Sequence, residues 1–180
     1  MQELISKIEQ WAEDRNIING SKPIDQAMKL FSEFGELADN VGKGRDCRDD
    51  IGDVFVVLTI ILKQYNSSIL EFIPNWSKGG LSDKELVLSL ANDLYYVLND
   101  PHKEIFESTI SVLMSICDVI GYTLEECVQI AYDDIKDRKG VMYNGVFIKS
   151  TDEAYEDALD NIEADKRMNQ KRITVDIEDL

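Results

Sequence analysis

Apolar residues recur at helical spacing along most of this 180-residue chain, and this repeat strongly restricts the possible folds. Its first occurrence predicts an amphipathic helix over residues 3–15, where charged residues separate a set of apolar ones. The set is Leu4, Ile5, Ile8, Trp11 and Ala12. Because Gly and Pro are scarce, the composition also favours helices over strands and turns. We therefore predict an all-α fold, a helical bundle with a four-helix core and extra helices.

Capping residues divide the rest of the chain into further predicted helices. Ser21 is followed by Pro23, which is typical of a helix start, and Asp46 precedes the next helical repeat. Ser82 and Thr123 each open a capping box. The stretch from Val54 to Leu62 would also suit a buried strand, because it is rich in β-branched residues. The predicted helices after the first cover about 21–41, 46–65, 82–98, 103–120, 123–136 and 150–168.

The helical repeat stops near residues 141–148. Asn144 and Gly145 separate two apolar runs there, and Asn-Gly in that position is typical of a two-residue hairpin turn. We therefore predict a short β-hairpin at 141–148. The sequence further predicts a loop over residues 66–80, and it gives no firm prediction for the tail that follows Met168.

A chain of this length can form one domain, and we expect a single domain over residues 1–180. Cys47, Cys117 and Cys127 lack the spacing of a zinc site or of a disulfide framework, so they are predicted to be reduced thiols. The longest apolar run is shorter than the about 20 residues that cross a bilayer. With no basic and apolar signal at the amino terminus, we expect a cytoplasmic protein without a membrane partner.

The formal net charge of -16 restricts the partners of the chain. A surface this acidic repels DNA, RNA and anionic lipid, so we expect no nucleic-acid partner. A phosphate-bearing substrate would have to be bound locally, by a metal ion or by a few placed Lys and Arg side chains.

Two acidic pairs are the candidates for such a metal site. Glu33 and Glu36 border the apolar face of one predicted helix, and Asp50 and Asp53 share a face with apolar residues of the next. Asp49 lies around the helix from the second pair and is the weaker candidate. Carboxylates gathered at one interface repel one another unless a hard divalent cation lies between them, which favours Mg²⁺, with Mn²⁺ as a substitute. Single pairs of this kind are also common on solvated helix faces.

A carboxylate-bridged di-iron site is the main redox alternative for paired acids in a helical bundle. Such a site uses Glu-x-x-His motifs, and the single histidine, His102, is far from both acidic pairs in the sequence. The di-iron alternative is therefore excluded.

With these motifs, the chain resembles the MazG-like all-α nucleoside triphosphate pyrophosphohydrolases, especially the compact form of bacteriophages. The resemblance spans about Trp11 to Lys149. An inserted segment at about 66–102 and an acidic carboxy-terminal helix and tail at 150–180 lie outside it. The stretches that carry it are Gln26-x-x-Lys29 with Glu33-x-x-Glu36-Leu37, then Asp50-x-Gly52-Asp53-Val54, and then Ala131 to Gly140 with Asn144 to Lys149.

The resemblance implies Mg²⁺-dependent hydrolysis of nucleoside or deoxynucleoside triphosphates to the monophosphate and pyrophosphate. It also implies a homodimer or homotetramer, in the host cytoplasm if the protein is phage-encoded. Its implied metal ligands are Glu33, Glu36, Asp50 and Asp53, with Glu33 and Glu36 as the catalytic residues. The implied substrate-binding residues are Gln26, Lys29, Asp133, Lys136, Arg138, Trp11, Arg15 and Asn144.

Several roles stay open at the level of sequence. Lys29 suits a phosphate contact or a salt bridge to Glu33, and Trp11 suits core packing better than a nucleobase contact. Asp133 stands where the phage form often has Asn, and its charge would repel a phosphate unless it binds a further Mg²⁺ or faces elsewhere. The alternative function is a non-catalytic nucleotide- or protein-binding regulator that retains the MazG-like fold.

Overall fold

The computed structural model describes residues 1–169, and it confirms the predicted all-α fold with a short β-hairpin. A 3₁₀-helix spans Ile69–Phe72. The described α-helices are α1 (Gln2–Asp14), α2 (Ile17–Gly20), α3 (Pro23–Lys43), α4 (Arg48–Gln64), α5 (Asp83–Asn99), α6 (Lys103–Ile120), α7 (Leu124–Ile135) and α8 (Tyr155–Met168). The strands are β1 (Gly140–Tyr143) and β2 (Val146–Lys149).

Helix α4 lies at the centre of the molecule and contacts α1, α3 and α7. Every residue from Val54 to Leu62 is buried, which explains why this stretch carries a continuous apolar run instead of an amphipathic repeat. Gly52 lets α7 approach closely, because a Cβ atom there would lie 2.4 Å from the backbone oxygen of Cys127. The predicted helix is thus confirmed over the alternative of a strand.

Helices α3 and α4 form an antiparallel pair. Asn40 near the end of α3 bonds Asp50 near the start of α4, while Ser21 before α3 is bonded by Gln64 at the end of α4. Gly44 ends α3 in the left-handed conformation, with a φ of 64°, and permits the short connection. This pairing brings the middle of one helix opposite the middle of the other.

Helix starts agree with the sequence in part. Ser82 and Thr123 form the predicted capping boxes of α5 and α7. Ser21 is not the cap of α3, because its hydroxyl donates to the Ile17 carbonyl of the unpredicted helix α2, and Lys22 occupies the cap position. Cys47 occupies that position for α4, although Asp46 accepts a hydrogen bond from the backbone amide of Arg48 at 3.1 Å.

The hairpin packs beside the amino-terminal helices. Asn144 and Gly145 have φ angles of 49° and 81°, which the predicted two-residue turn requires. Strand β2 brings Phe147 to Trp11 of α1, with ring centroids 6.3 Å apart in an edge-on arrangement. The hairpin is therefore held against the bundle by aromatic contact.

The segment predicted as an insertion contributes α5, which buries Leu86, Leu90 and Leu94 and packs against α3 and α6. The last helix begins at Tyr155, later than predicted, and the predicted tail after residue 169 lies outside the described residues. In the part of the chain that the structure describes, no single helix is long and apolar enough to cross a membrane. Helices α6 and α7 pass that test only together, bent by 98°.

Candidate functional site

A cleft of about 400 Å³ opens between α3, α4, the end of α7 and the hairpin. Its volume lies in the range of small-molecule sites. Charged side chains face it from several elements: Asp25, Lys29, Glu33, Asp53, Arg138 and Lys149. Its apolar wall includes Trp11, Ile17, Val56, Val57, Ile60 and Phe147. A ligand with an apolar part and a charged part would match this lining.

Two of the four predicted acids face the cleft. Glu33 is only 4% exposed and forms an ion pair with Lys29, one turn earlier on α3. Asp53 lies on α4 and is half-buried. Burial raises the pKa of Asp53 to about 7, and the neighbouring charges of Glu33 and Asp49 act in the same direction. These two helices thus place two desolvated carboxylates at one site.

The other two predicted acids do not line the cleft. Asp50 is 8% exposed, accepts a hydrogen bond from Asn40 Nδ2 at 2.8 Å and lines a separate groove with Asp46 and Asp49. Burial raises the pKa of Asp50, and the charge of Glu36 adds to that rise. Glu36 itself is exposed. The charges of Glu33 and Glu36 therefore act on Asp50 across the two helices, but of the four predicted acids Glu33 and Asp53 alone line the cleft.

The fit of these residues to a divalent cation is partial. Carboxylate oxygens are the donors that Mg²⁺ and Mn²⁺ prefer. The raised pKa of Asp53 comes first from burial and then from the charges of Glu33 and Asp49, and a cation would relieve this second contribution. Within residues 1–169, however, no group of three or more His, Cys, Asp or Glu side chains is placed to hold a metal ion. The Lys29 ammonium forms an ion pair with Glu33 and already counters the charge of that carboxylate.

Of the two predicted substrate-binding residues near the amino terminus, Trp11 lines the cleft and Arg15 does not. Trp11 is 8% exposed, lines the cleft and donates from Nε1 to the Ile135 carbonyl at 2.8 Å, so it packs in the core and also reaches the site. Arg15 stacks on Trp11 and donates to the carbonyls of Lys136 and Arg138. Arg15 thus holds the carboxy-terminal end of α7 and does not line the cleft.

The two predicted basic residues after α7 also differ in position, because Arg138 lines the cleft and Lys136 does not. Arg138 lines the cleft and pairs with Asp134. Lys136 is exposed and pairs with Asp133 at 2.6 Å, and neither of them lines the cleft. Asp133 therefore faces elsewhere, which removes the repulsion between its charge and a phosphate in the cleft.

The two remaining predicted contacts, Gln26 and Asn144, differ in their positions. Gln26 lines the cleft from α3 and is 7% exposed. Asn144 is exposed at the tip of the hairpin turn, and it is the neighbouring Gly145 that faces the cleft, against the carboxylate of Asp25.

Lys149 and Phe147 are cleft residues that the sequence did not single out as site residues. Both lie on β2 and line the cleft. Among the ion pairs of residues 1–169, Lys149 has no acidic partner, unlike Lys29 and Arg138. The predicted hairpin carried the only available signal, since its alternation places residues 147 and 149 on one face of β2.

Comparison with known proteins identifies a phage relative. This chain is 50% identical over 76 residues to the uncharacterized 18.2 kDa protein in the rep-hol intergenic region of Haemophilus phage HP1 (strain HP1c1). The match covers 41% of this chain and 47% of that protein, so the chain spans about half the length of the curated relative it matches. No protein-family model and no solved structure matches the chain.

Proposed function

We propose that the protein is a MazG-like, Mg²⁺-dependent hydrolase that converts nucleoside or deoxynucleoside triphosphates to the monophosphate and pyrophosphate. One observation carries the proposal. Glu33 and Asp53, from two antiparallel helices, face a single cleft that also has an apolar wall and three cationic side chains. Such a cleft suits a nucleotide, because it offers separate surfaces to the base and to the phosphates.

The cations address the charge of the substrate. A triphosphate would be repelled by a protein of net charge -16 unless local cations counter that repulsion. Lys29, Arg138 and Lys149 line the cleft and would bind phosphate oxygens. Lys149 is free to do so within the described residues, whereas Lys29 and Arg138 would exchange an acidic partner for phosphate.

The acids address the reaction itself. Glu33 and Asp53 would hold Mg²⁺ or Mn²⁺, and the charges of Asp50 and Glu36 would add to the negative potential nearby. A bound divalent cation neutralises phosphate charge and lowers the pKa of water. The Glu33 carboxylate, released from Lys29, is the group in this chain that we assign to accept the proton of the attacking water.

The proposal includes a homodimer or homotetramer in the cytoplasm of the host, with no nucleic-acid or membrane partner. Beside the cleft, α3 exposes an apolar stripe of Ile24, Met28 and Phe31, which are 62%, 59% and 42% exposed. Met28 also lines the cleft. A second copy that covered this stripe would shield apolar surface and border the substrate.

A non-catalytic nucleotide-binding regulator is the second candidate. It is favoured by the Lys29–Glu33 ion pair and by the position of Asp50 and Glu36 outside the cleft lining. A protein of this kind would use the cleft to bind a nucleotide without hydrolysing it.

Turnover assays separate the two candidates. The purified chain is incubated with a panel of ribo- and deoxyribonucleoside triphosphates and Mg²⁺, and we expect monophosphate and pyrophosphate in equal amounts. Asp53→Asn should abolish turnover, while Lys136→Ala, which changes an exposed residue outside the cleft, should retain it. Tight nucleotide binding without turnover on any substrate would support the regulator instead.

A further inference from the structure

Ser21 is the centre of a hydrogen-bonded cluster next to Gln26, just before the start of α3. Its hydroxyl donates to the Ile17 carbonyl at 2.7 Å. The same oxygen accepts from Nε2 of Gln26 at 2.9 Å and from Nε2 of Gln64 at 3.0 Å. One serine thus contacts two side-chain amides, one from α3 and one from α4.

The chemistry of Ser21 fixes how both amides are oriented. A hydroxyl has one hydrogen, and here it is directed at the Ile17 carbonyl, so Ser21 can only accept from the two glutamines. Both amides must therefore present nitrogen to Ser21.

Gln64 is fixed independently of the serine hydroxyl. Its Nε2 also donates to the backbone carbonyls of Ile18 at 3.3 Å and Ser21 at 3.1 Å. A rotated amide would bring its oxygen against these acceptor oxygens. The orientation is kept although the Oε1 atom of Gln64 is buried without a hydrogen-bond partner among the described residues.

Of the two polar atoms of the Gln26 side chain, the amide nitrogen bonds Ser21, and the carbonyl oxygen is left for a ligand. Gln26 lines the cleft, and no residue within 1–169 donates a hydrogen bond to its Oε1 atom. A carbonyl oxygen accepts hydrogen bonds and cannot donate them. The cleft therefore offers an acceptor at this point, and the orientation of that acceptor is determined by Ser21.

The position of Gln26 matches the base of a nucleotide. Gln26 precedes Glu33 by seven residues on α3, a distance of about 10 Å along the helix axis. Ile17 and Ile60, both apolar, line the cleft with it. A nucleotide with its phosphates near Glu33 and Asp53 would extend its base toward Gln26.

We propose that Ser21 and Gln64 act as positioning residues that fix Gln26 as a hydrogen-bond acceptor, so that the cleft selects nucleotides whose base carries an amino group. This inference rests on the proposed function for the placement of the phosphates. The amino group donates to Gln26 Oε1, and a base without that donor would cover this acceptor without pairing it, which costs affinity.

Pairs of nucleotides that differ only in the amino group test the proposal. The pairs are adenine against purine, cytosine against pyrimidin-2-one, and guanine against hypoxanthine deoxynucleotides. For the triphosphate that is hydrolysed best, loss of the amino group should lower kcat/KM by about tenfold to a hundredfold. The same pairs are measured as monophosphates by calorimetry, so that binding is read without turnover.

Substitutions at Ser21 separate positioning from a structural role. Ser21→Ala should reduce the ratio between the members of a pair to within about threefold, because the Gln26 amide can then rotate and offer either atom. Ser21→Thr, which keeps the hydroxyl, should restore the ratio. The proposal would be overturned if Ser21→Ala lowered kcat/KM equally for both nucleotides of each pair and left their ratio unchanged. This comparison remains valid if the variant is less stable, because both nucleotides are measured with the same protein.

The two measurements, triphosphate hydrolysis and monophosphate binding, also distinguish this inference from the proposed function. Selection for the amino group in monophosphate binding, with no hydrolysis of any triphosphate, would support the role of Gln26 and contradict the enzyme activity. Hydrolysis of triphosphates without selection in either measurement would support the activity and overturn the role of Gln26. Absence of binding to every nucleotide would overturn both.

Discussion

Among the cleft residues, the raised pKa of Asp53 makes the free energy of unfolding depend on pH. In the unfolded chain a carboxyl group of this kind has a pKa of about 4, whereas burial raises the pKa of Asp53 to about 7 in the folded protein. The folded state therefore binds the Asp53 proton more tightly than the unfolded state does. Ionisation of Asp53 therefore lowers the free energy of unfolding as the pH rises from about 4 to about 7. Above about pH 7 this contribution no longer changes with pH.

Asp53→Asn should remove this penalty in metal-free solution. A rise of the pKa from about 4 to about 7 corresponds to about 4 kcal/mol. At pH 8 with a chelator, we expect the variant to be more stable than the wild type by roughly 1 to 4 kcal/mol, with a rise in Tm of about 2–4 °C per kcal/mol. The difference should shrink toward pH 5. Added Mg²⁺ should raise the Tm of the wild type more than that of the variant. Thermal denaturation followed by circular dichroism would contradict this account if the variant were the less stable protein at pH 8.

Lys149 and Lys136 form a matched pair for testing the phosphate site. Lys149 lines the cleft, whereas Lys136 is exposed and paired with Asp133. Lys149→Ala should raise KM for a triphosphate by about tenfold, because it removes a charge-assisted hydrogen bond to phosphate. Lys136→Ala should change KM by less than about twofold. Equal effects of the two substitutions on KM would exclude Lys149 from the site.

At the scale of elements, Gly52 determines how closely α4 and α7 pack. A Cβ atom at this position would lie 2.4 Å from the Cys127 oxygen and 2.6 Å from the Ala131 Cβ atom, so Gly52→Ala must separate the helices. We expect it to lower the free energy of unfolding by about 1–3 kcal/mol. Urea denaturation monitored by circular dichroism measures the change.

Gly35→Ala is the control for that substitution. No atom lies within 4 Å of a Cβ added at Gly35 in the described structure, and Ala is the better helix former. The variant should be equally stable or more stable, by up to about 1 kcal/mol. A loss of stability as large as that of Gly52→Ala would show that helix packing at Gly52 is not the cause.

The elements themselves were largely predictable from local chemistry. Ser82 and Thr123 mark helix starts through capping boxes, and Asn144-Gly145 marks the hairpin, because each signal depends on neighbouring residues alone. The Ser21 cap was wrong for a tertiary reason. Helix α2 follows directly after α1 and provides the Ile17 carbonyl to which the Ser21 hydroxyl donates. Because α2 has only four residues, it is too short to show a helical repeat in the sequence.

At the scale of the whole molecule, the cleft was predictable only in part. The helical repeat placed Glu33 and Asp53 toward the core, and both reach the cleft. The repeat could not show that Glu36 and Asp50 lie outside the cleft lining, since that depends on how α3 and α4 are rotated against their neighbours. Lys149 and Phe147 join the site from a distant part of the sequence through packing against Trp11, which no local pattern encodes.

Oligomerisation can be tested through the exposed stripe of α3. Phe31→Glu places a charge in the apolar stripe and should convert an oligomer to monomers in light scattering after size exclusion. Val119→Glu, which changes a similarly exposed residue on α6, should leave the mass unchanged. A wild-type mass equal to one chain would contradict the proposed homo-oligomer.

The identity of the bond that is cleaved tests the central claim most directly. Phosphorus NMR follows a nucleoside triphosphate during incubation with the protein and Mg²⁺. We predict that the α-, β- and γ-phosphate signals of the substrate are replaced by those of the monophosphate and pyrophosphate in equal amounts, and that Asp53→Asn abolishes the conversion. Appearance of diphosphate with inorganic phosphate, or no conversion of any triphosphate, would contradict the account.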